Sequence, residues 1–314
     1  SRPHEADGRV QVSRPHEADG RAELSWGDLL AEARQRLAAS PAVDAPEVDA
    51  RRIVEAASGA SPAEFDSVLG QPATTLTAAR FRSMLDRRDG GEPLQYVVGA
   101  WGFRTLDLMV DRRVLIPRPE TEAVAGWAVD EVARRSAGEG RDREVVVVDL
   151  GTGSGAIALS VAVECPQARV FATDVSADAL AVARANLSGL GRAAARVSLH
   201  EGDWFAAVPD ALRGSVDVVV SNPPYIGTGE ELPSVVADWE PPVALWSGPA
   251  GHEAVEQVIA GSPRWLRPGG ALVLEVASHR AQQTAHMVAG TGFADVRVEH
   301  DLAGLERVVI GRWP

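Results

Sequence analysis

The stretch REVVVVDLGTGSGAIALSVA, from Arg143 to Ala162, decides the fold class of this 314-residue chain. Its four consecutive valines predict a strand that is buried on both faces, and the apolar residues after the glycines predict a helix. Gly151, Gly153 and Gly155 lie between the two, where residues without side chains let backbone amides approach a ligand closely. A strand, a glycine-rich turn and a helix in this order predict the first unit of an α/β fold with a ligand at the turn.

Strands and helices alternate from this stretch to the C-terminus. The predicted strands span residues 145–150, 170–174, 197–201, 216–220 and 271–276, with a terminal pair near 294–298 and 307–311. Because such alternation is typical of parallel strands joined by crossover helices, we predict a mainly parallel seven-stranded sheet that is covered by helices. This sheet domain is expected to span residues 121–314.

The chain before residue 121 has a different pattern. Apolar residues at helical spacing, as in SWGDLLAEARQRLAAS, predict a small N-terminal helical domain over residues 23–90, which we interpret as a substrate-docking domain. The alternation of apolar residues in WGFRTLDLMV predicts a β-hairpin in a linker over residues 91–120. Residues 1–22 contain the polar nonapeptide SRPHEADGR twice and are expected to be a disordered or artificially added extension.

The composition argues against several classes of function. A net charge of −13 opposes loose electrostatic binding to nucleic acid, and the apolar runs are too short to span a bilayer. Cys165 is the single cysteine, which excludes an intrachain disulfide and a multi-cysteine metal site and fits a reducing cytoplasm. We predict a cytoplasmic protein without a metal site, a direct nucleic-acid partner or a membrane segment, and we expect a monomer.

Polar residues follow several predicted strands at the point where each strand ends. Since the carboxyl ends of parallel strands meet at one edge of an open sheet, these residues are expected to converge on one crevice. Asp174 can reach ribose hydroxyls, Asp203 can accept from an exocyclic amine, and Trp204 can cover a purine face. The predicted cofactor-binding residues are Gly151, Thr152, Gly153, Ser154, Gly155, Asp174, Asp203, Trp204 and Asn222.

A second motif, VVVSNPPYIG at residues 218–227, stops a buried strand with two consecutive prolines. Each proline restricts the residue before it to extended conformations, so the loop is stiff. The two prolines offer carbonyls without N–H donors, and the amide of Asn222 adds a further acceptor beside the ring of Tyr225. Such a loop is suited to binding a substrate NH2 group.

These motifs together resemble a known family. DLGTGSGAIALS, Asp174, GDWF and SNPPY, in this order, are similar to the S-adenosylmethionine-dependent class I (Rossmann-like) methyltransferases that modify DNA bases or glutamine amides. The segments EPLQYVVGAWGF, VLIPRPETE, DWEPPVAL and DLAGLERVVIGRW resemble the protein-glutamine methyltransferases of peptide chain release factors. The resemblance extends from about Ser25 to the C-terminus. Pro242 departs from it, because a basic residue is common there in that family, and LWSGPAGHEAV is looser than the family's glycine- and aspartate-rich sequence.

The resemblance implies a reaction and a set of residues. S-adenosylmethionine is the implied cofactor, S-adenosylhomocysteine the product, and the glutamine of the Gly-Gly-Gln loop of release factors the acceptor, which places the reaction in translation termination. Asn222 and the Pro223 carbonyl would accept the two N–H hydrogens of that glutamine, and Tyr225 would pack against its amide plane; these are the predicted catalytic residues. The predicted substrate-binding residues are Asn222, Pro223, Pro224, Tyr225 and Phe103.

Alternatives stay open at the level of the sequence. One is transfer to another amide or amine, either a ribosomal-protein glutamine or a small metabolite. The glycine-rich turn also fits a nicotinamide-dependent oxidoreductase, and a methyltransferase fold can serve as a non-catalytic binding module. Hydride transfer does not need an acceptor-only NPPY loop, and a binding module needs neither intact motif, so the two motifs together favour a methyltransferase.

Overall fold

The structure is a computed structural model that describes residues 24–138 and 143–314. The extension predicted at residues 1–22 lies outside the described residues. The described chain begins with the helices α1 (Trp26–Ala38), α2 (Pro46–Ser58), α3 (Phe65–Val68), α4 (Thr75–Asp89) and α5 (Leu94–Val98). Ser25 caps α1: its side chain accepts from the Asp28 N–H, and the Asp28 carboxylate accepts from the Ser25 N–H.

These helices pack around an apolar core of their own. Leu29, Leu37, Ile53, Phe81 and Leu85 are fully buried in it. They lie on the inner faces of α1, α2 and α4 because each helix repeats its apolar residues three and four positions apart. The helical region is therefore stabilised by burial that is separate from the two cores of the sheet.

A short hairpin follows the helices. Strand β1 (Ala100–Phe103) pairs antiparallel with β2 (Leu106–Met109). The N–H of Met109 donates to Asn186 Oδ1 at 2.7 Å, and Asn186 Nδ2 donates back to the Met109 carbonyl at 3.1 Å. Because Asn186 belongs to a helix of the sheet region, this pair of bonds attaches the hairpin to that region.

The remaining elements form a sheet with helices between its strands. They are α6 (Pro119–Gly138), β3 (Val145–Leu150), α7 (Ala156–Glu164), β4 (Ala168–Asp174), α8 (Ala177–Ser188), β5 (Val197–Glu201), β6 (Val216–Ser221), α9 (Ser234–Ala237), α10 (Glu253–Gly261), β7 (Leu266–Glu275), α11 (Ala281–Gly290), β8 (Ala294–His300) and β9 (Glu306–Arg312). The strand order is β5-β4-β3-β6-β7-β9-β8. The first five run parallel, and β9 is antiparallel to both of its neighbours. The predicted α/β fold with a mainly parallel seven-stranded sheet is confirmed.

Strand β7 begins earlier than predicted. Leu266 already pairs with Val216, and the register then shifts between Val216 and Val218. The RPGG sequence before residue 271 is typical of a turn, and we predicted the strand after it. An irregularity between two strands absorbs these residues instead, and its position depends on the neighbouring strand as much as on β7 itself.

Apolar layers cover both faces of the sheet. On one face Val147 packs in the cluster formed by α6, α7 and α8, and on the other Val148 and Leu150 pack with α10 and α11. Successive residues of a strand point to opposite faces, so an uninterrupted apolar strand is expected between two covered faces. β3 lies between β4 and β6, so the order of strands reverses beside it and a crevice opens outside their carboxyl ends.

Candidate active site

A cavity of about 450 Å³ lies at the carboxyl ends of β3, β4, β5 and β6. The predicted site residues on its wall are Gly151, Thr152, Gly153, Ser154, Asp174, Asp203, Trp204, Asn222 and Pro224. These residues are distant in sequence and meet only because parallel strands end at a common edge. The structure therefore brings most of the predicted site together in one place.

The glycine-rich turn joins β3 to α7 through backbone conformations that favour glycine. Gly153 has a φ of 57° and lies on the cavity wall. Gly155 has a φ of 88°, and a Cβ on it would come within 2.9 Å of Leu159 Cδ1. Gly155 does not line the cavity. Position 155 requires glycine because of its positive φ and the close packing at the start of α7, whereas Gly153 exposes its backbone to the cavity.

Asp174 closes one side of the glycine turn. Its Oδ2 accepts from the Gly153 N–H at 2.8 Å, and its Oδ1 accepts from the Ser176 N–H at 2.9 Å. Burial raises the pKa of this carboxyl, and the backbone bonds oppose the rise. Each carboxylate oxygen can accept more than one bond, so Asp174 can hold the turn and still accept from a ligand hydroxyl.

Asp149, a buried acid beneath the turn, was not among the predicted site residues. Its Oδ2 accepts from Thr152 Oγ1 at 2.6 Å and from the Ala158 N–H at 3.2 Å, while the buried Oδ1 accepts from none of the residues that the structure describes. Burial raises its pKa to about 7. The available signal was an acid between the valines and the leucine of a strand predicted to be buried, because an acid is almost never fully buried unless it is paired.

Asp203 and Trp204 form the wall of the cavity beyond β5. Trp204 has a φ of 42°, which is uncommon for a bulky residue. In this conformation its ring lies beside the glycine turn, such that a Cβ on Gly151 would be 3.7 Å from Trp204 Cζ3. The indole, Val175 and Ile157 give the cavity apolar surfaces next to the two acids, Asp174 and Asp203.

Asn222 follows β6 and projects an amide into the cavity wall. Its Nδ2 donates to Thr121 Oγ1 at 3.1 Å. Its Oδ1 accepts from none of the described residues. Thr121, the third residue of α6, also lines the cavity and donates to Glu275 Oε2 at 2.7 Å. The amide is therefore held through its nitrogen, and its oxygen is left to accept from a ligand.

Three predicted substrate-binding residues do not line the cavity. Pro223 is buried. Tyr225 packs against the core of the sheet, and its hydroxyl donates to Glu275 Oε1 at 3.3 Å. Burial raises the pKa of this tyrosine. Phe103 is 1% exposed and belongs to the core beneath the hairpin. A substrate contact by the Phe103 ring does not fit this arrangement, because the inner face of the hairpin packs against the sheet domain.

The outer rim of the cavity is formed by two segments that an acid holds together. Glu240 is 3% exposed and accepts from the guanidinium of Arg118 and, at 3.1 Å, from the Ile116 N–H. The segment after Glu240 contributes Pro241, Val243, Ala244 and Trp246 to the wall. Both segments belong to motifs that the sequence shows, but their contact could not be predicted, since the residues are more than a hundred positions apart.

Comparison with known proteins gives the family. Residues 28–99 match the family model described as PrmC N-terminal domain, and residues 139–238 match the Methyltransferase small domain. Release factor glutamine methyltransferase of Cereibacter sphaeroides is 40% identical over 91% of this chain and 98% of that protein. The protein of the same name from Streptomyces coelicolor is 39% identical over 90% of this chain and 96% of that protein. This chain belongs to the release factor glutamine methyltransferase family.

A solved structure is similar to the methyltransferase as well. It is the protein-(glutamine-N5) methyltransferase (release factor-specific) from Alicyclobacillus acidocaldarius, at 27% identity over 63% of this chain and 93% of that chain, with a TM-score of 0.37. The assignment to the family rests on the curated relatives and does not depend on this structure.

Membership of the family decides between the classes that the sequence left open. The protein is an S-adenosylmethionine-dependent protein-glutamine methyltransferase with a class I, Rossmann-like fold, as predicted. The alternatives of a nicotinamide-dependent oxidoreductase and a non-catalytic binding module are wrong. Among residues 24–138 and 143–314, no helix is long and apolar enough to cross a membrane and no acid, histidine and cysteine cluster is arranged to hold a metal ion.

Proposed function

We propose that the acceptor of the methyl group is the side-chain amide nitrogen of the glutamine in the Gly-Gly-Gln loop of peptide chain release factors. The observation that carries this proposal is the orientation of Asn222, whose Nδ2 is bonded to Thr121 while its Oδ1 is free to accept. An acceptor oxygen at this point suits a substrate that offers an NH2 group. The names of the relatives supply the release factor as the protein that carries it.

The residues around the cavity fit the cofactor. Backbone groups of Gly151, Thr152, Gly153 and Ser154 would lie along it, and Gly155 would act through the start of α7. Asp174 would accept from the ribose hydroxyls, because both of its oxygens are already positioned by backbone N–H groups. Asp203 would accept from the adenine amine and Trp204 would cover the purine face. When it is bound, S-adenosylmethionine supplies a methyl group attached to a sulfonium sulfur, which leaves readily as a neutral thioether.

The protein must orient a poor nucleophile. The lone pair of a glutamine amide nitrogen is delocalised into its carbonyl, so the nitrogen gains positive charge as it is methylated. Asn222 Oδ1 would accept one of its N–H groups and favour that developing charge. By analogy with the loss of an oxyanion-hole donor, losing the Asn222 contact would cost on the order of 3 kcal/mol of transition-state stabilisation.

Tyr225 contributes in a different way from a direct stack on the substrate. Its hydroxyl donates to Glu275 and its ring packs with the core of the sheet, so it holds the NPPY loop in place. Pro224 lies on the cavity wall and is the proline whose side chain can contact the acceptor. We assign the loop's catalytic contact to Asn222, because Pro223, the other predicted acceptor, is buried and does not line the cavity.

We also propose that different regions of the chain have different roles. Residues 23–90 would dock the release factor, and residues 121–314 would carry out methyl transfer. Residues 91–120 would link these two regions. The separate apolar cores of the helices and the sheet support this division. We expect the enzyme to work as a monomer in the cytoplasm on a protein substrate, without direct contact to nucleic acid. Light scattering of the purified enzyme checks whether it is a monomer.

Mass spectrometry of an intact release factor tests the proposal. Purified release factor incubated with the enzyme and S-adenosylmethionine should gain one methyl group, and a release factor with the loop glutamine replaced by alanine should gain none. An unmodified release factor beside rapid turnover of a free amine or small amide would overturn the substrate and leave the methyltransferase chemistry standing.

A further inference from the structure

Asn222 is held by two residues that the sequence did not single out. Asn222 Nδ2 donates to Thr121 Oγ1 at 3.1 Å, and Thr121 Oγ1 donates to Glu275 Oε2 at 2.7 Å. Tyr225 donates to the other oxygen of the same carboxyl group at 3.3 Å. Thr121 belongs to the start of α6 and Glu275 is the last residue of β7, so the bonds join separate elements. We refer to Asn222, Thr121 and Glu275 as the relay.

Above a pH of about 7, where the carboxyl of Glu275 is ionised, the donors and acceptors of the relay can be arranged in only one direction. An ionised carboxylate accepts hydrogen bonds and cannot donate them, so the single hydroxyl proton of Thr121 points to Glu275. The oxygen of Thr121 then has only lone pairs to offer to Asn222. If the Asn222 amide were reversed, its oxygen would face the threonine oxygen, with two acceptors in contact and no proton between them.

Burial keeps this direction fixed. Glu275 is 0% exposed and Thr121 is 4% exposed, so water cannot easily replace either partner. In a site of low polarity a mismatched pair of acceptors is costly, and a chain of matched hydrogen bonds is correspondingly strong. The orientation of the amide at the cavity is therefore determined at Glu275, two hydrogen bonds away.

We infer that Glu275 is a positioning residue for methyl transfer, which acts through Thr121 to turn the Asn222 oxygen toward the acceptor nitrogen. The inference rests on the proposed function for its catalytic consequence. The orientation itself is a property of the protein alone, and it can be measured without any substrate.

The chain offers a direct spectroscopic readout of this orientation. Asn186 and Asn222 are its two asparagines, so labelling with ¹⁵N-asparagine gives two side-chain NH2 signals. In wild-type protein the Asn222 NH2 is bonded to a buried hydroxyl and should exchange slowly with solvent. In Glu275→Gln a side-chain amide can donate to Thr121 and release the threonine proton toward Asn222, so the Asn222 signal should move and lose protection. Asn186 bonds to Met109 and Ser154 and is the internal control.

Two further variants separate this effect from a general loss of structure. Thr121→Val removes the hydroxyl with little change of volume and should alter the Asn222 signal in the same way, whereas Thr121→Ser keeps the hydroxyl and should preserve it. Ser262→Ala removes a fully buried hydroxyl that donates to the Val258 carbonyl at 2.7 Å, away from the cavity wall, and should leave both signals unchanged. An Asn222 signal that is unaltered in both Glu275→Gln and Thr121→Val overturns the inference.

Kinetics on the release factor test the catalytic consequence. By analogy with the residues that orient metal ligands, Glu275→Gln should lower kcat by about tenfold to a hundredfold, with the cofactor Kd changed by less than about threefold. In an Asn222→Ala background the same substitution should cause no further loss, because the group that it orients is gone. A further loss of similar size would show that Glu275 has only a structural role and would contradict the inference. If wild-type enzyme leaves the release factor unmethylated, the proposed function fails, and the two asparagine signals still decide whether the relay sets the orientation.

Discussion

Asn222 presents its oxygen to the cavity because Thr121 accepts from its nitrogen. Asp174 differs, since both of its oxygens accept from backbone N–H groups in and beside the glycine turn. In the proposed function, Asn222 acts on the acceptor and Asp174 on the cofactor. Substitutions at the two positions should therefore separate turnover from cofactor binding.

Replacement of Asn222 by alanine should reduce turnover with little effect on the cofactor. We expect kcat to fall roughly a hundredfold or more, because the lost contact acts on charge that develops in the transition state, and the cofactor Kd to stay within a few-fold. Asp174→Ala is the matched comparison and should weaken cofactor binding first. Calorimetry with S-adenosylmethionine measures the cofactor Kd, and initial rates on release factor measure kcat. Near-normal methyl transfer by Asn222→Ala would show that its role is wrongly assigned.

The buried carboxyl of Glu275 should make stability depend on pH. Burial raises its pKa to about 7; hydrogen bonds from Thr121 and Tyr225 and the charge of Arg307 oppose the rise, and Glu120 adds to it. A raised pKa means that the folded state holds the proton more tightly than the unfolded state does. The stability that this carboxyl contributes is fully present below its unfolded pKa of about 4.5 and is lost as the pH rises through about 7.

The comparison of wild-type protein with Glu275→Gln isolates this dependence from that of Asp149. Relative to wild type, the variant's free energy of unfolding should increase by about 3 kcal/mol as the pH rises from about 4.5 to about 7.5. Urea unfolding across this range measures the difference. A difference that is constant with pH would mean that the carboxyl titrates at its ordinary pKa.

Helices α2 and α4 are joined by a salt bridge that differs from most of those on the surface. Arg88 Nε lies 2.6 Å from Asp49 Oδ2, and both residues are less than a tenth exposed. Arg88 also donates to the carbonyls of Glu92 and Ala42. By contrast, Arg34 and Glu47 join α1 to α2 through an exposed pair at a similar distance. The two pairs allow a buried and an exposed ion pair to be compared within one group of helices.

Arg88→Ala should destabilise the helical region strongly. Removing one partner leaves Asp49 buried without its counter-charge, which typically costs about 3 kcal/mol or more. Arg34→Ala, the exposed control, should cost less than about 1 kcal/mol. Chemical unfolding followed by far-UV circular dichroism reports both losses. Equal losses for the two substitutions would contradict the expected effect of burial.

At the scale of the whole molecule, the helices and the sheet have separate apolar cores, and the cavity belongs to the sheet region and the segments that enclose it. In the proposed function the reacting glutamine must reach into this cavity on an extended loop, because Asn222, which would accept its N–H group, lies on the cavity wall. Holding the release factor elsewhere on its surface would raise the local concentration of that loop. The helices are the part of the enzyme that remains for this task.

Deletion of residues 24–88 should remove the advantage of an intact release factor over a short peptide that carries the loop. For the full-length enzyme we expect the peptide to be a much poorer substrate, and for the shortened enzyme we expect the two rates to be similar. An unchanged affinity for S-adenosylmethionine controls for the folding of the sheet region. A shortened enzyme that still prefers the intact release factor would place the docking surface elsewhere.

The fold and most of the cavity wall could be predicted because their causes are local. A valine-rich strand followed by glycines and an apolar helix specifies a βα unit, and its repetition specifies a parallel sheet. The rule that such strands end at one edge then brings Gly153, Asp174, Trp204 and Asn222 together without further information. Even so, local pattern misplaced the start of β7, where the pairing with β6 absorbs a sequence that is typical of a turn.

What the sequence determined by itself is the class of the fold and the chemical types at the edge of the sheet: glycines, acids, an indole and an asparagine amide. What only the tertiary structure decided is the direction in which those groups act. Thr121 and Glu275 are separated by 154 positions, and Asn222 meets them only after α6, β6 and β7 have packed. Likewise, burial in the core of the sheet domain is what keeps Phe103 away from the cavity. Hydrogen bonds and burial between distant segments depend on the packed chain, and so no local pattern reveals them.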